Sequence, residues 1–438
     1  LTRDQTTALC KNRYDRRERD IAVLEVRAQC EDWAALAADA LRCIDEYTDD
    51  DFAYYTTLLA AFPHVDGATQ AAILATVDRR SHEKTAPNQR RSPFLFAVRR
   101  ALDAQDTDAA VEAVLRYLAE FATLRCVPTD LLPFLPTAVR TALLPRLDAF
   151  PLFRAQVQVS LGALPDIAGD TSDVALVTAA GHIAASAATN DATHLFRAVE
   201  LLTAAAERFP DEHDFQMLLL RCYTLLGMPQ QAVAAYTHPR IDIKDVLLES
   251  TGHLVFPLLA LYGAVDGLPR LQTKLANFHA DHMMYMKDNV VKALDNLNVV
   301  CYDEMLEFKR HLRNSALVGA VQTASFLDEL AQVVFHAFEN NLFTKSKCVA
   351  RLQKLMETAR PIPDELFDNA DRSAIFAEAF VTLPGVGCLT PFSDLAQGAT
   401  AFPALRYFSS LIGQLRGEGT LRGIDATGLN PRDAAVVA

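Results

Sequence analysis

The sequence predicts an all-α protein built from stacked antiparallel helical hairpins, and three observations carry that reading. Half of the residues are hydrophobic, yet only 8% are aromatic and glycine occurs just 17 times in 438 residues. The apolar content is mostly Ala, Leu and Val; Ala and Leu are strong helix formers, and small side chains let helices approach closely. A repeat of about 34 residues recurs near the middle of the chain, and no segment sustains the alternation that a sheet strand needs. The length exceeds one ordinary globular core, which points to two or three domains or to an extended solenoid.

The repeat is clearest in HLFRAVELLTAAAERFPDEHDFQMLLLRCYTLLGMPQQAVAAY, residues 194–236. Ala198, Leu202, Ala205 and Pro210 match the second helix and loop of a tetratricopeptide repeat. One period of about 34 residues later, Ala232 and Tyr236 repeat the small-then-large pair. Leu219, Tyr223 and Gly227 fall where the intervening helix and its turn want Leu, Tyr and Gly. The expected class is therefore all-α: a TPR-like α-α superhelix (solenoid) of antiparallel helical hairpins.

The other elements follow in order. Residues 20–30 read as one helix, Glu31, Asp32 and Trp33 as a turn, and Ala34–Tyr47 as the next helix. After the acidic turn Thr48-Asp49-Asp50, Asp51–Phe62 reads as a third. The single Trp, Trp33, is expected to plug the hairpin corner rather than to stack on a ligand. The run Asp49-Asp50-Asp51 is expected to cap the helix that follows, with carboxylates at the positive end of its dipole. Residues 81–92, SHEKTAPNQRRS, are polar, basic and broken by proline, and read as a surface loop. Helices resume at Pro93–Leu102, Asp108–Phe121 and Thr129–Phe134 before a second break at 162–173. Helical patterns then run from about residue 174 to about residue 358. Beyond Arg360 they weaken at Pro361, Pro363, Pro384, Gly385 and Gly387, and 416–438 reads as irregular or extended. The expected division is 1–160 as the N-terminal part of a helical-repeat solenoid, 161–360 as a central TPR-like solenoid, and 361–438 as a helical and irregular tail.

Composition excludes several classes. The formal net charge of −13 would repel phosphate along a nucleic-acid-wrapping surface, so direct DNA binding is not expected. No window approaches the length of apolar run that a membrane span needs. The cysteines (Cys10, Cys30, Cys43, Cys126, Cys222, Cys301, Cys348 and Cys388) are scattered without a C-x-x-C pair, which argues against a zinc site or a secreted disulfide framework and fits a reducing cytoplasm. No signal peptide is visible. The start at Leu1 reads as part of a longer product.

Several stretches resemble the auxiliary subunit family of the N-terminal acetyltransferase B (NatB) complex. They are Cys30-Glu31-Asp32-Trp33 followed by DALRCIDEYTDDDFAYYTTLLAAF, RSPFLFAVRRAL at 91–102, YLAEFATLRCVPTDLLPFLP at 117–136, IDIKDVLLESTGHLVFP at 241–257, and the long stretch 278–330. The last contains an F-x-x-R-L-x-N-S element, here Phe308 to Ser315. The resemblance runs colinearly over 17–330; the family's N-terminal repeats have no counterpart here, and 335–438 carries no matching stretch. It implies a non-catalytic α-solenoid that wraps a small GNAT-type catalytic subunit. The solenoid shapes that subunit's peptide site and helps to hold it at the ribosome, so that nascent chains beginning Met-Asp, Met-Glu, Met-Asn or Met-Gln are acetylated. Acetyl-CoA is then expected in the partner, and none in this chain.

Three features could carry other chemistry. Gln414-Leu415-Arg416-Gly417-Glu418-Gly419 fits the loose [QR]-x-x-G-x-[GA] pyrophosphate loop of acetyltransferases. Such a loop needs a strand before it and a helix after it, whereas FPALRYFSSLIGQ reads as helix and TLRGIDATG as irregular. His279 and His282, with Asp281 between them, could begin a metal site, but no third ligand is predictable and a structural role is favoured. No nucleophile elbow, P-loop or H-E-x-x-H motif is present. Basic clusters at Arg13, Arg16, Arg17 and Arg19, at Arg79, Arg80, Arg90 and Arg91, and at Lys345 and Lys347 read as solvated faces, with ribosomal RNA contact as the functional alternative.

For contact with a catalytic subunit the sequence points to Lys244, Leu247, Glu249 and Thr251, beside Val246 and Leu254, and to Arg310 and Arg313 on a later helix. Packing between repeats is the competing role for all of them. The rival functions are an auxiliary subunit of another N-terminal acetyltransferase, another TPR-like assembly scaffold, an acetyl-CoA-binding enzyme acting through Gln414–Gly419, and a helical-repeat RNA binder. The last would show paired polar residues at fixed repeat positions, and these are absent.

Overall fold

The computed structural model describes residues 13–47, 51–83, 90–237, 246–263, 265–295, 299–339, 366–371 and 374–383. Among the described residues every regular element is helical, and β structure is confined to an isolated parallel bridge between Ser315 and Phe367. The chain divides into two compact units, Leu1–Ala168 with Ala379–Val381, and Gly169–Glu378 with Thr382–Ala438. That division falls inside the break at 162–173. Most of 361–438 lies outside the described residues, and 366–371 packs with the second unit.

The first unit contains α1 (Arg13–Gln29), α2 (Trp33–Glu46), α3 (Phe52–Ala61), α4 (Gly67–His82), α5 (Ser92–Asp103), α6 (Thr107–Phe121), α7 (Val127–Leu131), α8 (Thr137–Leu143) and α9 (Pro151–Ser160). In α2 the buried residues Leu36, Ala37, Ala40, Cys43 and Ile44 recur at helical spacing and make one apolar stripe. That stripe meets Leu24 of α1, Tyr54 and Leu58 of α3, Ile73 of α4 and Phe96 of α5 in a single core cluster. Complete burial of a side chain such as Leu58 stabilises by roughly 2 kcal/mol. Trp33 is half-buried at the α1–α2 corner, where its ring stacks on His64 with centroids 4.4 Å apart, so it packs as the sequence suggested.

The second unit contains α10 (Ser172–Thr189), α11 (Ala192–Arg208), α12 (Asp214–Leu225), α13 (Pro229–Tyr236), α14 (Val246–Thr251), α15 (Pro257–Tyr262), α16 (Leu268–Asp295), α17 (Val299–Arg313) and α18 (Ala316–Glu339). Successive pairs α10–α11, α11–α12, α12–α13 and α16–α17 pack side by side. The repeat positions sit at these contacts. Ala198 and Leu202 of α11, Leu219 of α12, and Ala232 and Tyr236 of α13 are all buried.

The corners between helices share a backbone solution. At four of them the first N–H past the helix returns three residues and the next N–H returns five. The pairs are Glu31 to Ala28 with Asp32 to Arg27, Gln105 to Leu102 with Asp106 to Ala101, Gly162 to Val159 with Ala163 to Gln158, and Gly227 to Thr224 with Met228 to Tyr223. This is the Schellman arrangement, which satisfies carbonyls that a helix end leaves unpaired. It places the first of each pair at positive φ: 57° at Glu31, 55° at Gln105, 83° at Gly162 and 70° at Gly227. The next helix then starts on a prepared residue. Asp51, Asp66, Asp106 and Asp191 accept a backbone N–H with their carboxylates, and α5, α9 and α13 begin with proline in the first turn.

The structure corrects some of the expected boundaries. The helix expected over Thr129–Phe134 spans Val127–Leu131 instead, because Pro128 starts it earlier and a turn follows. The loop expected from residue 81 starts at Glu83, since α4 continues through His82; 84–89 lie outside the described residues. The last described α-helix ends at Glu339, and 340–365 lie outside the described residues. The capping role expected for the acidic run rests on Asp51, which accepts from Ala53 N at 2.9 Å; Asp49 and Asp50 lie outside the described residues.

A substitution pair tests the corner geometry. Gly227→Ala forces a side chain into the left-handed region and brings its Cβ to 3.1 Å from the Tyr262 hydroxyl, so unfolding free energy should fall by roughly 1–2 kcal/mol in urea titration. Gln105→Gly, at a corner that already holds a side chain at positive φ, should leave stability unchanged or raise it by a few tenths of a kcal/mol.

Candidate functional site

One of the residues singled out for partner contact, Glu249, is a buried carboxylate of the second unit on which several elements meet. Glu249 sits on the short helix α14, only 5% exposed. Its Oε2 lies 2.7 Å from His279 Nε2 on α16, and its Oε1 accepts from Asn369 Nδ2 at 2.7 Å. Ser315, at the α17–α18 junction, adds a further hydrogen bond. Asn369 belongs to an extended segment, 366–371, that is pinned along its length. Phe367 N donates to Asn314 O at 2.8 Å, Phe367 O accepts from Ala316 N at 2.9 Å, and Asp371 N donates to Ser250 O at 2.7 Å. The Phe367 ring stacks on His311 at 4.3 Å, and the Arg310 guanidinium lies over it at 4.7 Å. One carboxylate thus ties α14, α16, the α17–α18 junction and this strap together.

The electrostatics follow from the donors. Burial pushes the Glu249 carboxyl upward, but hydrogen bonds from His279, Asn369 and Ser315, with the charge of His279, outweigh it and hold the group below the usual glutamate range. A carboxylate with both oxygens engaged by donors is a structural centre and is not placed to act as a base on a bound molecule.

The other expected contact residues fall into two groups. Thr251 is buried, its hydroxyl 2.9 Å from Tyr236 Oη and donating to Leu247 O at 2.6 Å. Glu249 and Thr251 are both buried, which suits the packing role weighed for them beside partner contact. Leu247 is half-buried, whereas Arg310 and Arg313 are exposed at the end of α17. Lys244 and the Gln414–Gly419 loop lie outside the described residues. His279 is committed to Glu249, and the His282 ring packs on Phe278 at 4.4 Å and against Phe308 at 5.6 Å, so the two histidines do not share a ligand position. Among the described residues no group of three or more His, Cys, Asp or Glu side chains is placed to hold a metal ion.

The arginine cluster of the first unit is also not a bare basic face. Arg79 pairs with Asp45 and Glu83, Arg80 with Glu83 and the Ile44 carbonyl, Arg90 with Glu83, and Arg91 with Asp130. Arg80 and Arg90 are each only 6% exposed. Arg17 pairs with Asp51; the side chains of Arg13, Arg16 and Arg19, and all of Lys345 and Lys347, lie outside the described residues. Sequence reasoning missed Asn369, Ser315 and Phe367 as parts of the centre. Asn369 stands 120 residues from Glu249, so no local pattern could have joined them.

Helical hairpins closed by a fully bonded internal carboxylate define a helical-repeat scaffold. Residues 165–372 match the family model of the N-acetyltransferase B complex (NatB) non catalytic subunit. The match includes 335–372, which the sequence had left unassigned, and ends one residue past Asp371 of the strap. Two solved structures share the fold. "The NatB Acetyltransferase Complex Bound To CoA and MES" aligns with a TM-score of 0.52 at 12% identity, covering 94% of this chain and 57% of that chain. "The NatB Acetyltransferase Complex Bound To bisubstrate inhibitor" aligns with a TM-score of 0.51 at 12% identity, covering 94% of this chain and 58% of that one. At that identity the likeness is one of fold, and the chain spans just over half the length of each relative. No curated protein matches the sequence. Among the described residues no helix is long and apolar enough to cross a membrane.

Glu249→Gln tests the internal carboxylate. It keeps the volume but faces the Asn369 and His279 donors with a mixed amide, and should cost roughly 3 kcal/mol of stability at neutral pH. The folded carboxyl is held below its ordinary value, so its stabilisation is fully present above the unfolded value, about 4.3 for Glu, and is lost as pH falls through the lower folded value. The variant should lose this part of the acid dependence in urea titrations from neutral to acid pH.

Proposed function

We propose that this chain is the auxiliary scaffold of a NatB-type N-terminal acetyltransferase, holding a small GNAT-type catalytic subunit that binds acetyl-CoA. The supporting observation is the family match over 165–372, which takes in most described helices of the second unit and its carboxylate-centred strap. The family is described as the non-catalytic subunit, so the chemistry resides in the partner. The substrates proposed are chains beginning Met-Asp, Met-Glu, Met-Asn or Met-Gln, acetylated in the cytoplasm as they leave the ribosome. The repeat positions of α11–α13 support a TPR-like reading of the hairpins. Ribosome docking rests on the family resemblance alone, since the Arg79–Arg91 cluster is occupied by carboxylates within its own unit.

Arg310 and Arg313 are the proposed contacts for the catalytic subunit. They are exposed at the end of a helix whose last turn is fixed by the Phe367 stack, so they present charge from a rigid base. Leu247 is proposed as an apolar contact and Lys244 as a further charged one. Glu249 and Thr251 act through α14 rather than by touching the partner.

Two measurements test this reading. Co-expression with a small GNAT-type subunit should yield a stable complex that acetylates a Met-Asp peptide, while the chain alone is inactive; normal acetylation by the lone chain would overturn the proposal. Reversing Arg310 and Arg313 to Glu should weaken association by roughly tenfold, mainly by slowing the on-rate, and the loss should shrink at high salt.

A further inference from the structure

A second cluster of nitrogen ligands lies away from the Glu249 centre. His182 is in the middle of α10 and His194 in the first turn of α11, on the two arms of one hairpin. Their Nδ1 atoms are 3.0 Å apart, with ring centroids 5.3 Å apart and an interplanar angle of 33°. Both rings are half-buried, so solvent reaches them. Their backbones are anchored by buried neighbours, Gly181 and Ile183 on one arm and Leu195 and Ala198 on the other.

Two Nδ1 atoms this close cannot both carry a proton towards each other. One proton fills the gap when one Nδ1–H donates to the other lone pair. Burial, followed by the nearby charges of His194 and Arg197, holds His182 below the ordinary imidazole range, so it is neutral at neutral pH. A neutral imidazole is the form that binds metal. With metal–nitrogen bonds of about 2.0–2.1 Å, two ligands of one ion stand about 2.9 Å apart at a right angle and about 3.3 Å apart in a tetrahedron. The observed separation falls within that span.

We propose that His182 and His194 form a two-imidazole site for a borderline divalent cation such as Cu2+, Ni2+ or Zn2+, with water completing the coordination shell. Binding needs no net proton release: the ring that donated through Nδ1 shifts its proton to Nε2 and offers the freed lone pair. The Asp191 carboxylate at the start of α11 favours a cation there and Arg197 opposes one, so the affinity is modest. The bound ion links α10 to α11. Mg2+ and Ca2+, which prefer oxygen ligands, are not held.

The test is titration of the full chain with Cu2+ alone, followed by calorimetry and by electron paramagnetic resonance. About one equivalent should bind at about pH 7.5, with nitrogen hyperfine structure from two imidazoles, and binding should weaken in acid as protons compete with the ion for nitrogen. His182→Gln and His194→Gln should each weaken this binding by roughly tenfold or more while retaining parental helicity. Loss of the two-imidazole spectrum in either folded variant assigns the site, so one variant decides where the other fails to fold. Affinity unchanged in both folded variants, a spectrum without imidazole nitrogen, or no saturable binding would show that the pair shares a proton only and would overturn the proposal.

Discussion

The constraint on which the structure depends is the reversal of the chain between helices. Each helix end leaves backbone carbonyls without partners, and a hairpin of closely packed helices has only two or three residues in which to satisfy them and turn. This chain meets the constraint repeatedly with one left-handed residue followed by a helix-starting Asp or Pro. Glu31–Asp32, Gln105–Asp106 and Asn190–Asp191 are versions with side chains, and Gly227–Met228–Pro229 is the glycine version. Short corners make adjacent helices antiparallel neighbours, and the small residues Ala198 and Ala232 then allow their backbones to approach.

The second unit adds a polar constraint to this apolar plan. A buried carboxylate is costly unless its charge and both oxygens are compensated. Glu249 is compensated only when α14, α16, the α17–α18 junction and the strap are all in place. It therefore specifies one arrangement of elements that apolar packing alone would leave less defined. The family match closes one residue beyond the strap, as expected if the strap belongs to the scaffold and is not a trailing linker.

Charge serves the first unit differently. Arg79, Arg80, Arg90 and Arg91 look in sequence like a basic surface. In the fold they bind Asp45, Glu83, Asp130 and the Ile44 carbonyl, joining helices that are distant in sequence. In the second unit Arg310 and Arg313 are exposed at the end of α17, where the Phe367 ring of the strap stacks on His311.

The sequence alone determined the helical class, most helix boundaries in the first unit, the capping role of Asp51 and the repeat contacts at Ala198, Leu202, Ala232 and Tyr236. These are local properties, set by side-chain periodicity, capping chemistry and helix propensity within one or two turns. The left-handed slots at Glu31 and Gln105 were hidden, because neither residue type advertises positive φ. Tertiary structure alone decided that Glu249 is an internal anchor, that Asn369 and Ser315 complete it, that the Arg79–Arg91 cluster is paired with carboxylates of its own unit, and that His182 faces His194. Each of these depends on groups brought together by packing across many turns of chain, and pairing or burial of that kind leaves no trace in local residue order.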